Sequence, residues 1–394
     1  MIGYFALLDI LILPYFPRLI MPYSLPVVTV ALLFGTRFRR DLELTLFTLL
    51  ATCVVASAAL SVMYRIDGAV MENAKRALQL LSAFVYFFYF RWLVRESPLR
   101  VTPVLVVFVA YFFGLLILWT SHPMETADWL AVAYPEGDKG TESLLLFFRF
   151  PYIFSDANTA AYFYLIAAGF LARIVPRLST TGLVALLFGA VVVVISTQSR
   201  GAMVALALVV VVGLWLRRRA ILRHPVWVAI TVGVLIAGIL VAWSWLSART
   251  GDGTQVGTLL TLVKARFSGE QGDWQQGRST KYWWAITANV PFLIGRGYVL
   301  MRDGAIFSPH SDHLRLILSY GIIAWAATLY LLFRKFLRVF AFAIPALVAF
   351  SINSLIDEQK VFALYLIAVA VWASTSVRRD MRDTSSTLES RELS

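Results

Sequence analysis

The feature that most restricts the fold of this chain is a series of apolar segments of roughly membrane-spanning length. A helix that crosses a bilayer needs about 20 mostly apolar residues. The segments fall near residues 2–16, 21–36, 43–63, 77–95, 101–120, 159–175, 181–196, 201–216, 225–246, 312–333, 339–355 and 361–376. They predict an all-α polytopic membrane protein with about 12 transmembrane helices. Pro14, Pro17 and Pro26 interrupt the first two segments, so two full spans and a single re-entrant hairpin remain alternatives there.

The composition excludes a water-soluble globular enzyme. Of the 394 residues, 59% are hydrophobic and 15% are charged, and the mean hydropathy is +0.75. An ordinary soluble domain carries about 25% charged residues. A water-excluded core cannot hold so large an apolar excess, so the bilayer must solvate much of this surface.

Lys and Arg lie in short clusters between the apolar segments, and their spacing predicts the topology. The six clusters are Arg37/Arg39/Arg40, Arg91/Arg95/Arg100, Arg173/Arg177, Arg217/Arg218/Arg219/Arg223, Arg334/Lys335/Arg338 and Arg378/Arg379/Arg382. With twelve spans all six clusters fall on one side, which the positive-inside rule identifies as the cytoplasm. Both termini are then cytoplasmic as well. The net charge of +12 follows from this topology and does not indicate a nucleic-acid partner.

The same topology divides the chain into membrane and loop regions. The transmembrane helices are predicted within residues 1–120, 159–246 and 312–376. Two polar segments, 121–158 and 247–311, are predicted to be loops on the far side of the membrane, the second with short interfacial helices. Residues 377–394 show no hydrophobic periodicity and are predicted to be a disordered cytoplasmic tail.

Motifs that are missing from the sequence narrow its function. There is no P-loop, no G-x-G-x-x-G after a strand, no C-x-x-C and no H-E-x-x-H. The apolar segments carry almost no Asp or Glu near their centres, although proton-coupled transporters usually need such residues. Apart from the six clusters, the ionisable groups at the ends of the apolar segments are mainly arginines on the predicted far side. Positive charge at that place suits an anionic ligand embedded in the membrane.

Two arginines on the predicted far side are candidates for contact with such a ligand. Arg200, in the sequence Q-S-R-G, lies between two apolar segments and against the positive-inside bias. An arginine there is costly unless it is paired or faces water, and its planar guanidinium suits bidentate contact with phosphate oxygens. Arg278 begins a stretch, 278–292, whose pattern predicts a short amphipathic helix on the outer leaflet. Interfacial anchoring is the purely structural alternative for both.

Two of the four histidines lie together at the start of the 312–333 segment. His310 and His313 belong to the sequence S-P-H-S-D-H. Histidine is the natural general base near neutral pH, and a helix cap is the structural alternative. Two histidines and Asp312 make a thin ligand set for a metal ion, so no metal site is predicted.

A further cation, Arg149, precedes the 159–175 segment on the same predicted side. It is followed by the sequence F-S-D-A-N-T at residues 154–159. Asp156 and Asn158 are both competent N-caps for the helix that begins there. Capping is therefore the favoured interpretation of this stretch.

Taken in order, these sequences resemble the O-antigen ligase and O-antigen polymerase superfamily. The similar motifs are S-R-G at 199–201, G-R-x4-W-W-A-I at 277–286, P-x-x-I-G-x-G at 291–297 and H-S-x-x-L-x6-G at 310–321. They are spread over about residues 150–325, and the number and sidedness of the predicted spans agree with that family. His310, Ser311 and Gly321 match the histidine signature of the ligases, so the chain resembles the lipopolysaccharide O-antigen ligase most closely.

The resemblance implies a metal-independent glycosyltransferase of the GT-C type in the bacterial inner membrane, with its active site facing the periplasm and without a cofactor. The donor would be a glycan on undecaprenyl pyrophosphate, and the acceptor would be lipid A–core oligosaccharide. By resemblance, Arg200 and Arg278 would bind the donor pyrophosphate, and His310 would take the proton from the acceptor hydroxyl. The residues in supporting roles would be Arg149, Asn158, Asp312 and His313.

Two alternatives stay open. An O-antigen or exopolysaccharide polymerase would use nearly the same chemistry, but it would transfer the growing chain to another lipid-linked repeat unit. A polytopic transporter or flippase would have two similar halves and charged groups at the membrane midplane. The sequence shows no similarity between its halves.

Overall fold

The structure is a computed structural model of the 394-residue chain. It describes residues 1–13, 21–35, 41–63, 69–96, 99–122, 149–154, 156–175, 178–216, 293–295, 297, 300–302, 305–307, 311–353 and 355–374, and the single positions 226, 233 and 287. Arg278 and His310 lie outside the described residues, as do nearly all of the predicted 225–246 span, most of both far-side loops and the tail.

The regular elements of the described residues are helices apart from one short hairpin. The helices are α1 (Ile2–Leu11), α2 (Leu25–Gly35), α3 (Leu42–Met63), α4 (Ala69–Glu96), α5 (Val101–Ser121), α6 (Ala157–Ile174), α7 (Thr180–Thr197), α8 (Arg200–Leu216), α9 (Asp312–Tyr320), α10 (Ile322–Phe333), α11 (Phe340–Ile352) and α12 (Gln359–Ser374). A 3₁₀ turn, Phe336–Arg338, joins α10 to α11. In the hairpin, β1 (Leu300–Arg302) pairs antiparallel with β2 (Ala305–Phe307).

Three of the described helices are long and apolar enough to cross a membrane. They are α3, the Asn73–Glu96 part of α4, and α5, and six shorter apolar helices accompany them in the described part of the chain. About two thirds or more of the apolar stretch of α3 and α5 is not buried by the rest of the protein, whereas 61% of that stretch of α4 is buried. The exposed apolar surface of α3 and α5 is suited to contact with lipid. The greater burial of α4 places it nearer the centre of the bundle. These helices indicate a membrane protein.

One predicted segment, 312–333, is broken in the structure. Its two parts, α9 and α10, meet at Gly321, which has a φ of 91°. The other described segments form continuous helices whose ends fall within a few residues of the predicted ones, with two exceptions. Helix α1 ends at Leu11, five residues before the end of the first apolar segment, and α4 begins at Ala69, eight residues before the start of the predicted 77–95 segment. The break gives α9 its own direction, and it brings a polar face of this short helix into the bundle.

An ion-pair network ties three helix ends together at one end of the bundle, which we call the Arg91 end. Arg91, near the end of α4, contacts Asp41 (2.6 Å) and Glu43 at the start of α3. Glu43 also contacts Arg334, which follows α10. Burial raises the pKa of Asp41, but hydrogen bonds from the Leu44 N–H and Arg91 and nearby positive charge outweigh it, so the pKa is lowered. The starts and ends of distant segments therefore share one polar layer.

Three more close contacts place other helix ends at this same Arg91 end. They join Gly169 to Ala341, Gly213 to Phe340, and Lys335 to Trp372. The ends of α6, α8 and α12 thus lie beside the turn that connects α10 to α11. Each of the six positively charged clusters of the sequence adjoins one of these helix ends. In the sequence, all six clusters therefore adjoin helix termini that lie at the same end of the bundle.

Candidate functional site

The opposite end of the bundle, which we call the Arg149 end, holds all the described residues that the sequence analysis selected. Arg149 and Asn158 lie at the start of α6, Arg200 begins α8, and Asp312 and His313 begin α9. These helices reach the Arg91 end, directly or through α10, at their other termini. The structure therefore gathers residues from three separate stretches of sequence at one end of the molecule.

Arg149 is buried and holds two elements together. Its Nε–H donates to the carbonyl of Thr197 at the end of α7 (2.9 Å), and an Nη2–H donates to Asn158 Oδ1 on α6 (2.9 Å). Asp156 is the N-cap of α6, and its Oδ1 accepts from the backbone N–H of Asn158 (3.2 Å) and from its side-chain amide (3.0 Å). The capping role anticipated for this stretch falls to Asp156, which leaves the Asn158 oxygen to accept from the arginine.

Arg200 is the first residue of α8 and follows a two-residue turn. Gln198 ends α7 in the left-handed region (φ 51°, ψ 33°), and Ser199 Oγ accepts from the Ala202 N–H (3.3 Å). A cation at a helix N-terminus opposes the helix dipole and costs about 0.3–1 kcal/mol. The side chain of Arg200 is partly exposed. An anion bound at this position would be attracted by both the guanidinium and the positive end of the helix dipole.

The start of α8 is packed so closely that Arg200 has little freedom to shift. A Cβ on Gly201 would lie 2.1 Å from the hydroxyl of Tyr162 and 2.9 Å from Cδ1 of Ile352. Ser351, next to Ile352 at the end of α11, contacts His313 on α9 (Oγ to Nε2, 3.2 Å). Gly201, which follows Arg200, and His313 therefore both contact the end of α11.

His313 has both ring nitrogens engaged, and the partners determine its tautomer. The indole N–H of Trp325 can only donate, and it lies 3.0 Å from His313 Nδ1, which must therefore accept. The proton of a neutral ring is then on Nε2, which donates to Ser351 Oγ, and that hydroxyl donates to the Leu347 carbonyl (2.8 Å). In this arrangement His313 cannot take a proton from Ser351, so the pair is not a nucleophile and base.

Asp312 fixes the beginning of α9 to the turn before α12. The carboxylate is completely buried, and its Oδ2 accepts from the backbone N–H groups of Leu355 (2.6 Å) and Ile356 (3.1 Å). Together with the His313 contacts, these bonds hold the residues that come directly after His310. Asp312 and His313 are thus in place to orient that segment.

A group of charged residues that the sequence analysis did not select lies beside Asp312. Arg315, buried on α9, contacts Asp357 directly and lies 3.9 Å from Asp312. Arg76 of α4 lies 3.9 Å from the same Asp357 carboxylate and donates to Gln79 Oε1 (3.2 Å). Arg315 falls inside an apolar segment, where a charge is expensive without a partner. That position is the signal that could have indicated a buried pair.

Two of the motifs that carry the family resemblance are in direct contact. Leu293, Gly295 and Gly297 lie against the residues where α9 ends and α10 begins. The Gly297 N–H donates to the Ser319 carbonyl (2.9 Å). A Cβ on Gly295 would lie 2.0 Å from the Ser319 carbonyl carbon, and one on Gly321 would lie 2.1 Å from the Leu293 carbonyl oxygen. Only glycine permits this approach of the two backbones. We call the contact the glycine dock.

Substitution of Gly295 by alanine is expected to open the glycine dock. The added methyl group cannot fit beside the Ser319 backbone, and overpacking of this kind costs about 1–3 kcal/mol. Gly114→Ala on α5 is the matched control, because a Cβ there meets nothing within 4 Å. Thermal unfolding followed by fluorescence-detected size exclusion should show a lower midpoint for Gly295→Ala than for Gly114→Ala. Equal midpoints would contradict the dock.

A second buried charge pair joins α1 to α12. Lys360 and Asp9 are both 0% exposed, and the ammonium lies 3.2 Å from Asp9 Oδ1. The ammonium also donates to the carbonyls of Asp9 (2.5 Å) and Leu13 (2.6 Å), and Ser24 N–H donates to Asp9 Oδ2 (2.6 Å). This pair qualifies the prediction that few ionisable residues lie within the apolar segments.

Within the described ranges, no three or more His, Cys, Asp or Glu side chains are grouped so that they could hold a metal ion.

No family model, curated protein or solved structure matches this chain. A function for it must be argued from its own sequence and geometry.

Proposed function

We propose that this chain is a membrane glycosyltransferase of the O-antigen ligase type, which moves a glycan from undecaprenyl pyrophosphate to lipid A–core oligosaccharide. In this proposal the chain crosses the bacterial inner membrane about twelve times and has the GT-C architecture. The Arg91 end faces the cytoplasm and the Arg149 end faces the periplasm. Contacts among the helix ends beside the six positively charged clusters support this orientation.

The observation that carries the proposal is the meeting of the resembling motifs at the Arg149 end. The glycine dock joins the 291–297 motif to Gly321 of the 310–321 motif. The His313–Ser351 contact and the packing of Gly201 on Ile352 link the start of α9 to the Arg200 turn. Motifs more than 100 residues apart thus form one connected region, as a catalytic site assembled from several segments requires.

The proposed chemistry assigns distinct tasks to the arginines and to His310. Arg200 and Arg278 bind the pyrophosphate and neutralise the charge that develops as the bond between the sugar C1 and the phosphate oxygen breaks. His310 accepts the proton of the acceptor hydroxyl while that oxygen forms its bond to C1. Undecaprenyl pyrophosphate leaves with the electron pair of the broken bond. No metal or other cofactor takes part in this proposal.

A reconstituted assay tests the function. Purified full-length protein in nanodiscs is given an undecaprenyl-pyrophosphate-linked glycan, with lipid A–core in one reaction and additional lipid-linked repeat units in another. We expect a single glycan-capped lipid A–core product in the first reaction. A ladder of longer glycans on the lipid carrier in the second reaction would instead support the polymerase. Monodisperse protein that forms no glycosidic product in either reaction would reject both.

One observation favours a transporter as the second candidate. Ionisable residues buried within membrane helices often belong to ion or substrate pathways, and Asp9 and Lys360 are such residues. A transporter would move the lipid-linked glycan across liposome membranes without forming a new glycosidic bond. Flipping of a fluorescent lipid-linked glycan in proteoliposomes, measured beside the transferase assay, separates the two candidates.

A further inference from the structure

We propose that Arg149 is a positioning residue that holds Arg200 in place for the donor pyrophosphate, rather than a ligand of the pyrophosphate itself. This inference rests on the proposed function for its biological meaning. Its structural part, that Arg149 fixes the Arg200 turn, stands on the described contacts alone.

The contacts of Arg149 and Phe150 with the end of α7 are the first step. Helix C-termini leave their last carbonyls without partners inside the helix. At the end of α7 the carbonyl of Thr197 accepts from Arg149 Nε–H (2.9 Å), and that of Ser196 accepts from the Phe150 N–H (3.1 Å). Residues 149 and 150 therefore cap α7 from outside, through two consecutive carbonyls.

The short connection between Thr197 and Arg200 is the second step. Only Gln198 and Ser199 separate them, and both have restricted conformations: Gln198 is left-handed (φ 51°), and Ser199 accepts the Ala202 N–H. With so few free torsions, a shift of the Thr197 carbonyl must move the Cα of Arg200. The close packing of Gly201 on Tyr162 resists such a shift, so Arg149 and α6 restrain the turn from both sides.

The orientation of the Arg149 side chain is the third step. The guanidinium uses different nitrogens for Thr197 and Asn158, and Asp156 in turn orients the Asn158 amide. The side chain is only 8% exposed, whereas that of Arg200 is partly exposed. A guanidinium engaged in this way supports its neighbours, and the more accessible Arg200 is the one that can meet an anion.

Labelling tests the structural part without any substrate. Cys53, the only cysteine, is buried, so an Arg200→Cys variant offers one accessible thiol to a membrane-impermeant maleimide. We expect the labelling rate at position 200 to change several-fold when Arg149→Lys is added, because an ammonium cannot reproduce the two-nitrogen fork. Tyr152→Phe is the matched control, since it removes a neighbouring buried hydrogen bond, to the Leu11 carbonyl. A rate that Arg149→Lys leaves unchanged, or that Tyr152→Phe changes equally, would overturn the inference.

Binding tests the functional part. With farnesyl pyrophosphate as a soluble probe, Arg200→Ala and Arg149→Lys are each expected to raise Kd about 10- to 100-fold. The double variant should be no weaker than Arg200→Ala alone, because a positioning residue has nothing left to position. Additive losses in the double variant would mean that Arg149 contacts the anion independently and would overturn the inference. If the Arg200→Cys variants label as expected but the wild-type protein binds no probe, the result would count against the proposed donor site, not against the restraint of the turn.

Discussion

His310→Ala is expected to lower the turnover of glycan transfer about 10²–10⁴-fold, the usual contribution of a general base. The residue precedes a segment that is fixed on several sides, because Asp312 and His313 tie the first turn of α9 to α11, α10 and the turn before α12. In the proposed function, the general base directly precedes this fixed segment in the sequence. The variant should therefore lose catalysis while it retains the thermal stability and the donor affinity of the wild-type protein.

His313→Gln is the matched control, three residues further along the same segment. In the wild-type protein the His313 ring accepts from Trp325 and donates to Ser351. The substitution should therefore cost about 1 kcal/mol of stability through disturbed hydrogen bonds. We expect turnover to fall far less than in His310→Ala, because the wild-type His313 ring helps to hold the segment but is not free to accept a proton. The two variants should thus show opposite signatures in turnover and in melting temperature.

The pH dependence of turnover strengthens this comparison. A base must be neutral to act, so kcat of the wild-type protein should fall as the pH drops through the pKa of the base. His313→Gln should keep this acid limb, and the residual activity of His310→Ala should lose it. If His310→Ala retained wild-type turnover, or if His313→Gln removed the acid limb, the assignment of His310 as the base would be wrong.

Much of the helical framework could be predicted because apolar segments in this chain end at polar or conformationally special residues. The predicted 43–63 segment is helix Leu42–Met63, and Asp41 accepts from the Leu44 N–H just before it. The predicted 181–196 segment is helix Thr180–Thr197, which Ser199 follows and Ser179 caps. In such places, the same residue that ends the hydrophobic pattern also supplies a cap, so sequence and structure carry the same information.

The break at Gly321 could not be predicted from the same pattern, since the apolar character continues across it. Its cause is the glycine dock, in which a distant segment approaches the backbone of residues 319–321. The hairpin is a different case, because it lies in a predicted loop where only short helices were expected although the sequence carries a turn signal. The sequence M-R-D-G-A-I at 301–306 includes an Asp-Gly pair typical of two-residue hairpin turns, and this signal was available.

The candidate site was predictable in its cations but not in their partners. Arg200 was selected because an arginine on the predicted far side runs against the positive-inside bias, and Arg149 because it precedes an apolar segment on the same predicted side. The partner of Arg149 is a backbone carbonyl at Thr197, which any residue type would provide, so no sequence pattern could reveal it. The Arg315–Asp357 pair joins residues 42 positions apart, and only the packing of α9 against the start of α12 brings them together.

The buried Asp9–Lys360 pair leads to the second large prediction. Lys360→Gln is expected to destabilise the protein by about 3–5 kcal/mol, because it leaves the Asp9 carboxylate buried without its counter-charge. Asp9→Asn should have a comparable effect through the stranded ammonium. The double variant is neutral and retains groups able to hydrogen-bond, among them a donor for the Leu13 carbonyl. It should therefore recover most of the stability that each single variant loses.

Fluorescence-detected thermal unfolding of the wild-type protein, the two single variants and the double variant measures the coupling between the two charges. Lys335→Gln is the control for loss of one partly exposed lysine. A double variant that loses the sum of the two single-variant losses would show that the two charges act separately. Transferase activity of a stable double variant then decides between the two candidate functions. If the double variant retains glycan transfer, the pair is a structural link between the N-terminal helices and α12. The reason is that the neutral side chains of the double variant can hold helices together but cannot relay a proton. Loss of flipping in a well-folded double variant, with no glycosidic product from the wild-type protein, would instead support the transporter.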